Sequence, residues 1–218
     1  MQLFMDIRKK IEHTILRPDC TTETIRQLCE DALQHSFYGV CVPPYYVRDA
    51  VRFINEQAKV ITVVGFPMGY STIPSKVEEI KKALDEGADE VDAVVSIAAI
   101  KSGNWNYVKN ELDSMMRSVS LKGKVLKLIV ETGILTREEL LKLLPIAEQN
   151  EVQFIKTSTG FNGIGATIDD VKFLKANLQS KTKIKASGGI KTQEQAEKLL
   201  DAGADRLGTS SGLQMLGK

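Results

Sequence analysis

One pattern dominates the chain of 218 residues: short apolar, β-branched runs alternate with longer amphipathic segments, eight times over. The runs fall at 12–16, 39–42, 60–65, 90–95, 125–130, 153–156, 183–186 and 205–208, and each predicts a strand. Between them, helical spacing of apolar residues spans 22–36, 45–57, 76–86, 105–118, 137–150, 168–178 and 193–202. Strands that alternate with helices pair in parallel, because a parallel pair needs a crossover connection. Eight such units predict an α/β chain closed into a (β/α)₈ TIM barrel, one domain over 1–218. An open doubly wound sheet is disfavoured, since no GxGxxG follows the first strand. A short helix is expected before the first strand. After Gly208 only TSSGLQMLGK remains, so the last helix is predicted to be truncated.

Helix starts are marked by the pairs Ser75/Glu78, Thr136/Glu139, Thr167/Asp170 and Thr192/Gln195. Helix stops are marked by EGAD at 86–89 and AGAD at 202–205. These limits leave two long, glycine-rich loops, 65–75 and 156–167. In a barrel both lie at the C-terminal face, where active sites are built.

Bulk properties exclude several classes. The formal charge is +1, with Lys and Arg balanced by Asp and Glu along the chain, so no nucleic-acid partner is indicated. No apolar run approaches a membrane span, and MQLFMDIRKK lacks the apolar core of a signal peptide. The cytoplasm is the expected location. Cys20, Cys29 and Cys41 stand at no metal-ligand spacing, and His13 and His35 are the two histidines. Neither a disulfide framework nor a zinc site is predicted.

The chemistry is carried by lysines in three consecutive strands: Lys127 in VLKLIVE, Lys156 in QFIKTSTG and Lys185 in KIKASGG. Side chains alternate along a strand. With Leu126, Leu128 and Val130 facing the helices, Lys127 and Glu131 face inward. By the same parity Lys185 and Asp92 face inward, and Lys183 sits at the bottom rim. Buried ammonium groups are costly unless paired, and a neighbouring cation lowers a lysine pKa. Lys156 and Lys185 are therefore expected to depress each other. A lysine so depressed is a nucleophile toward carbonyls. Asp92 would hold charge and relay a proton. For Lys127 and Glu131, a plain salt-bridging role is at least as well supported as a catalytic one.

A phosphate site is expected as well. Ser187-Gly188-Gly189 follows the seventh strand, and Gly208-Thr209-Ser210-Ser211-Gly212 follows the eighth. Loops in these two places commonly bind phosphate on this fold, with backbone N–H groups and hydroxyls as donors. Thr159 and Gly160 lie close enough in sequence to the sixth strand to join them.

Over almost its full length the sequence resembles the deoxyribose-phosphate aldolase family. The stretches that carry the resemblance are EHTILRP, GVCVPP, VVGFPMG, GADEVDAVVSIAAIKSG, LKLIVETG, FIKTSTGF, IKASGGI and RLGTSSG. The resemblance implies a class I aldolase that needs no cofactor and cleaves 2-deoxy-D-ribose 5-phosphate. Lys156 would form the Schiff base. Lys185 would tune it and Asp92 would assist proton transfer. Gly160, Gly188, Gly189, Ser210 and Ser211 would bind phosphate, and Thr159 and Lys127, read from their places on the strands and loops, are grouped with them as substrate-binding candidates. Cys41 would lie beside the pocket, and a homodimer is expected. Three departures stand out. Glu12 replaces an Asp, Ser96 replaces an Asn, and a C-terminal tyrosine of some relatives has no counterpart after Gly212. The competing readings are another Schiff-base phosphosugar aldolase or transaldolase-like barrel, and a phosphosugar-binding barrel without catalysis.

Overall fold

A computed structural model of the chain describes residues 6–179 and 181–217. The starting MQLFM and Lys218, part of the expected single domain, lie outside the described residues. Eight strands close a parallel barrel in sequence order. They are β1 (Ile11–Thr14), β2 (Gly39–Val42), β3 (Lys59–Val64), β4 (Glu90–Val94), β5 (Val125–Ile129), β6 (Phe154–Lys156), β7 (Lys183–Ser187) and β8 (Arg206–Thr209). The surrounding helices are α1 (Thr22–Gln34), α2 (Val47–Ile54), α3 (Ile73–Asp85), α4 (Ile97–Lys101), α5 (Trp105–Ser120), α6 (Arg137–Gln149), α7 (Ile168–Asn177), α8 (Gln193–Asp201) and α9 (Gly212–Met215). The expected short N-terminal helix is a 3₁₀ turn at Ile7–Lys10, and the truncated last helix is α9.

The main core lies between barrel and helices, where outward residues such as Leu126, Leu128, Val130 and Ile155 are buried. The barrel interior is divided. On the β2–β3 side it is apolar, with Cys41, Ile61 and Val63 forming a cluster of their own. Across β4 to β8 it is charged, with Glu90, Asp92, Lys127, Lys156, Lys185 and Arg206 on the inward positions. A barrel interior of this size is filled by side chains rather than open. Here charged side chains therefore supply part of the filling, beside apolar ones such as Ile129 and Phe154.

Helix starts follow local chemistry. Thr136 and Thr192 close capping boxes with Glu139 and Gln195, and Thr167 accepts from the Asp170 N–H. The expectation at Ser75/Glu78 fails. Pro74 sits comfortably in a first turn, so α3 starts earlier, at Ile73, and Ser75 bonds the Thr72 hydroxyl at 2.9 Å. Helix α2 is shorter than its pattern because Asn55 turns left-handed (φ 45°). Helix α4 was not legible: five residues carry too little periodicity to read.

The EGAD and AGAD echo has one physical basis. Gly87 and Gly203 take φ of 103° and 116° and end their helices. The Asp that follows then ties the incoming strand to its neighbour. Asp89 accepts from the Val60 N–H at 3.1 Å, and Asp205 from the Ile184 N–H at 2.9 Å.

Candidate active site

Strand register brings the predicted catalytic residues together. Lys156 pairs with Lys185 across β6 and β7, and Asp92 with Lys127 across β4 and β5. All four side chains are buried. Lys156 Nζ donates to Asp92 Oδ2 at 2.8 Å, and Lys185 Nζ donates to the same oxygen at 2.6 Å. Lys127 Nζ reaches the other oxygen, Oδ1, at 2.9 Å. One carboxylate thus receives three ammonium groups.

The rest of the cluster comes from the strands on either side. Glu12 of β1 bonds Lys185 closely and lies 3.3 Å from Arg206 and 3.5 Å from Lys127. Glu90 of β4 holds Lys127 at 2.5 Å and accepts from the Tyr38 hydroxyl at 2.6 Å. The Arg206 guanidinium lies over the Tyr38 ring, 3.1 Å from its centre. Three carboxylates therefore face four cations. Gly208 leaves room for the Lys185 stem: a Cβ there would stand 2.9 Å from Lys185 Cε.

The electrostatics follow from these contacts. Burial alone would raise the Asp92 pKa, but Lys127, Lys156 and Lys185 outweigh it and hold the carboxyl well below the ordinary carboxylate range. Burial alone would lower Lys185, yet Asp92 and Glu12 hold it above its ordinary value. Lys127 is likewise pushed up, against burial, by Asp92, Glu12 and Glu90. The expected mutual depression of neighbouring lysines is thus corrected for Lys185. The carboxylates are its direct partners, and they outweigh the second ammonium. Burial pushes the Cys41 thiol up to about 11, so it stays protonated at neutral pH.

Above this cluster opens a cleft of about 480 Å³, lined by residues 14–17, 156, 159–161, 187–191 and 208–211. Lys156 lines it. Lys185, Asp92 and Lys127 do not, and neither does Cys41. Lys127, grouped on sequence with the substrate-binding residues, is instead fully buried and clasped by three carboxylates. The inward parity was read correctly, but its depth below the cleft depends on barrel register.

Gly160, Gly188, Gly189, Ser210 and Ser211 all line the cleft. Among the described residues, the N–H groups of Gly160, Gly188, Gly189 and Ser210 meet no protein acceptor. The loops after β6 and β7 pack glycine against glycine: a Cβ on Gly165 would meet Gly188 O at 2.1 Å. Unpaired N–H groups from three loops therefore line one cleft, and backbone N–H groups gathered in this way are the kind of donors that bind anions. Thr159 also lines the cleft, but with its donors engaged. Its hydroxyl donates to Glu131 at 2.5 Å and is not free to donate to a ligand.

Sequence reasoning missed Glu90 and Arg206, although each lies two residues from an inward position on its own strand. It also missed Arg17 and Lys191, which line the cleft and bring positive charge to it. Ser96, noted as a departure, caps α4 through its hydroxyl and donates its N–H to Glu111 at 2.9 Å. Glu111 in turn holds the fully buried Lys76 at 2.6 Å. Among the described residues no group of three or more His, Cys, Asp and Glu is placed to hold a metal ion.

Comparison with known proteins agrees with this architecture. The DeoC/LacD family aldolase model matches residues 3–218. The chain is 44% identical over 215 residues to deoxyribose-phosphate aldolase of Thermococcus gammatolerans, covering 97% of this chain and 96% of that one. Among solved structures it resembles QR15, an aldolase, with a TM-score of 0.93 and 38% identity, covering 98% of this chain and 95% of that one. It also resembles the tetrameric deoxyribose phosphate aldolase of Aeropyrum pernix, with a TM-score of 0.90 and 28% identity, covering 97% of this chain and 89% of that one. The family match spans the closed barrel, its lysine–carboxylate cluster and its glycine loops, and the chain therefore belongs to the DeoC/LacD family of aldolases.

Proposed function

We propose that the chain is a single-domain class I aldolase, cytoplasmic and paired as a homodimer. It reversibly cleaves 2-deoxy-D-ribose 5-phosphate to D-glyceraldehyde 3-phosphate and acetaldehyde. The observation that carries the reading is the placement of Lys156. Of the three clustered lysines, it alone lines the cleft that the unpaired N–H groups also line. The relatives named deoxyribose-phosphate aldolase support the substrate. No helix among the described residues is long and apolar enough to cross a membrane, which suits the proposed location.

The cluster divides the work. Lys127 contacts three carboxylates and Lys185 two, whereas Lys156 contacts one oxygen that it shares with Lys185. Giving up its proton therefore costs Lys156 the fewest contacts, and four cations against three carboxylates become balanced. The neutral amine attacks the C1 aldehyde of the open-chain sugar, and loss of water gives an iminium. Asp92, with Lys185 and a relaying water, takes up the C3 hydroxyl proton. The C2–C3 bond then breaks, and its electron pair enters the iminium to give an enamine. D-glyceraldehyde 3-phosphate leaves. Protonation of the enamine carbon and hydrolysis of the iminium release acetaldehyde and restore Lys156. The phosphate, held by the glycine loops with Arg17 and Lys191 nearby, fixes the remote end of the substrate and so orients the reacting carbon.

The test is borohydride reduction in the presence of acetaldehyde, followed by peptide mass mapping. A two-carbon adduct on Lys156 is expected, and Lys156→Ala should lose both adduct and turnover, by roughly 10³-fold or more. An unmodified Lys156 in folded protein with acetaldehyde in excess would overturn the reading. Size-exclusion chromatography of the same sample reads the pairing.

A further inference from the structure

The loop after Lys156 must hold Gly160 left-handed (φ 82°) so that its N–H stays open to the cleft. Glycine permits that shape, and a contact from outside the loop holds it. The fixing group is Glu131, two residues beyond the end of β5. Its side chain is buried, and its backbone takes φ of 53°, a conformation costly for a residue with a Cβ. Such strain persists only where surrounding contacts hold it.

Those contacts are specific. Glu131 Oε1 accepts from the Thr159 N–H at 3.1 Å. Its Oε2 accepts from the Thr159 hydroxyl at 2.5 Å and from Asn162 Nδ2 at 3.4 Å. Bonds to an ionised acceptor are shorter and stronger than neutral ones. The Thr159 hydroxyl accepts in turn from the Phe161 N–H at 3.1 Å. The residues on both sides of Gly160 are thus fixed through one carboxylate. Asn162 also donates to Pro67 O at 2.8 Å, and the Phe161 ring meets Phe66 edge-on at 5.2 Å. The loop after β6 is thereby latched to the loop after β3.

Glu131 does not line the cleft, whereas Thr159, Gly160 and Phe161 do. Its carboxyl oxygens are bonded by three donors, and what reaches the cleft is the loop they shape. We propose that Glu131 is the positioning residue for the phosphate-binding loop. Through it the enzyme discriminates a phosphorylated sugar from an unphosphorylated one. This rests on the phosphosugar reading above.

The test compares kcat/KM for 2-deoxyribose 5-phosphate with kcat/KM for 2-deoxyribose, in the wild type, Glu131→Gln and Thr159→Val. Folding is checked by circular dichroism. The Gln variant keeps an acceptor for the Thr159 N–H but turns an amide donor toward Asn162 and the Thr159 hydroxyl. The preference for the phosphorylated sugar should fall at least tenfold in both variants, chiefly through a higher KM. Should Glu131→Gln not fold, Thr159→Val reads the same contact from its other side. Folded variants that keep the wild-type preference would overturn the inference. A wild type with no preference would instead overturn the phosphosugar reading on which it rests.

Discussion

Lys127 and Lys156 show how position alone gives one residue type two jobs. Both are inward lysines on adjacent strands. Lys127 lies where Asp92, Glu90 and Glu12 converge on it, and it is fully buried. Removing one partner of a buried ion cluster leaves uncompensated charge. Lys127→Met should therefore lower stability by about 3 kcal/mol in urea unfolding. An unchanged midpoint would show that Arg206 and Lys185 suffice to hold the three carboxylates. The inward direction of Lys127, Lys185 and Asp92 was legible from strand parity. The sign of the Lys185 shift was not, because Glu12 lies 173 residues away in sequence and meets Lys185 only when β8 closes on β1.

The elements of the site are loops that must approach closely. Gly165 and Gly188 belong to the loops after β6 and β7, and a side chain on either would strike backbone rather than a flexible side chain. Backbone cannot yield cheaply, so Gly165→Ala should push the two loops apart and spoil the converging N–H groups. KM for the phosphorylated substrate should rise about tenfold, equivalent to roughly 1.4 kcal/mol of binding. Steady-state kinetics decide it, and an unchanged KM would remove the β7 loop from the phosphate site. The glycine richness of these loops was legible, as were the caps at Thr136, Thr167 and Thr192, because capping is a contact between residues close in sequence. The Glu131 latch was not, since its partners come from a different loop.

For the whole molecule, the charged part of the barrel is expected to set the pH range of stability. Asp92 is held below its ordinary 3.8, so its contribution is present above that value and lost as pH falls through its lower folded pKa. Lys185 is held above its ordinary 10.5, so its contribution is present below that value and lost as pH rises through its higher folded pKa. Lys76 and Glu111 work the other way, because burial outweighs their mutual attraction and moves Lys76 down and Glu111 up. Urea midpoints should form a plateau through neutral pH and fall at both extremes. A steady decline from pH 5 to 9, which lies inside the window that 3.8 and 10.5 define, would show that the cluster does not set the range. By itself the sequence determined the eight strand–helix units, the barrel, the inward faces and the lysines that meet inside it. Those follow from periodicity and parity, which are local. Only the tertiary structure decided which lysine lines the cleft, which carboxylates hold the others, and which glutamate bonds the loop after β6. These depend on barrel register and closure, which bring together side chains that no sequence spacing relates.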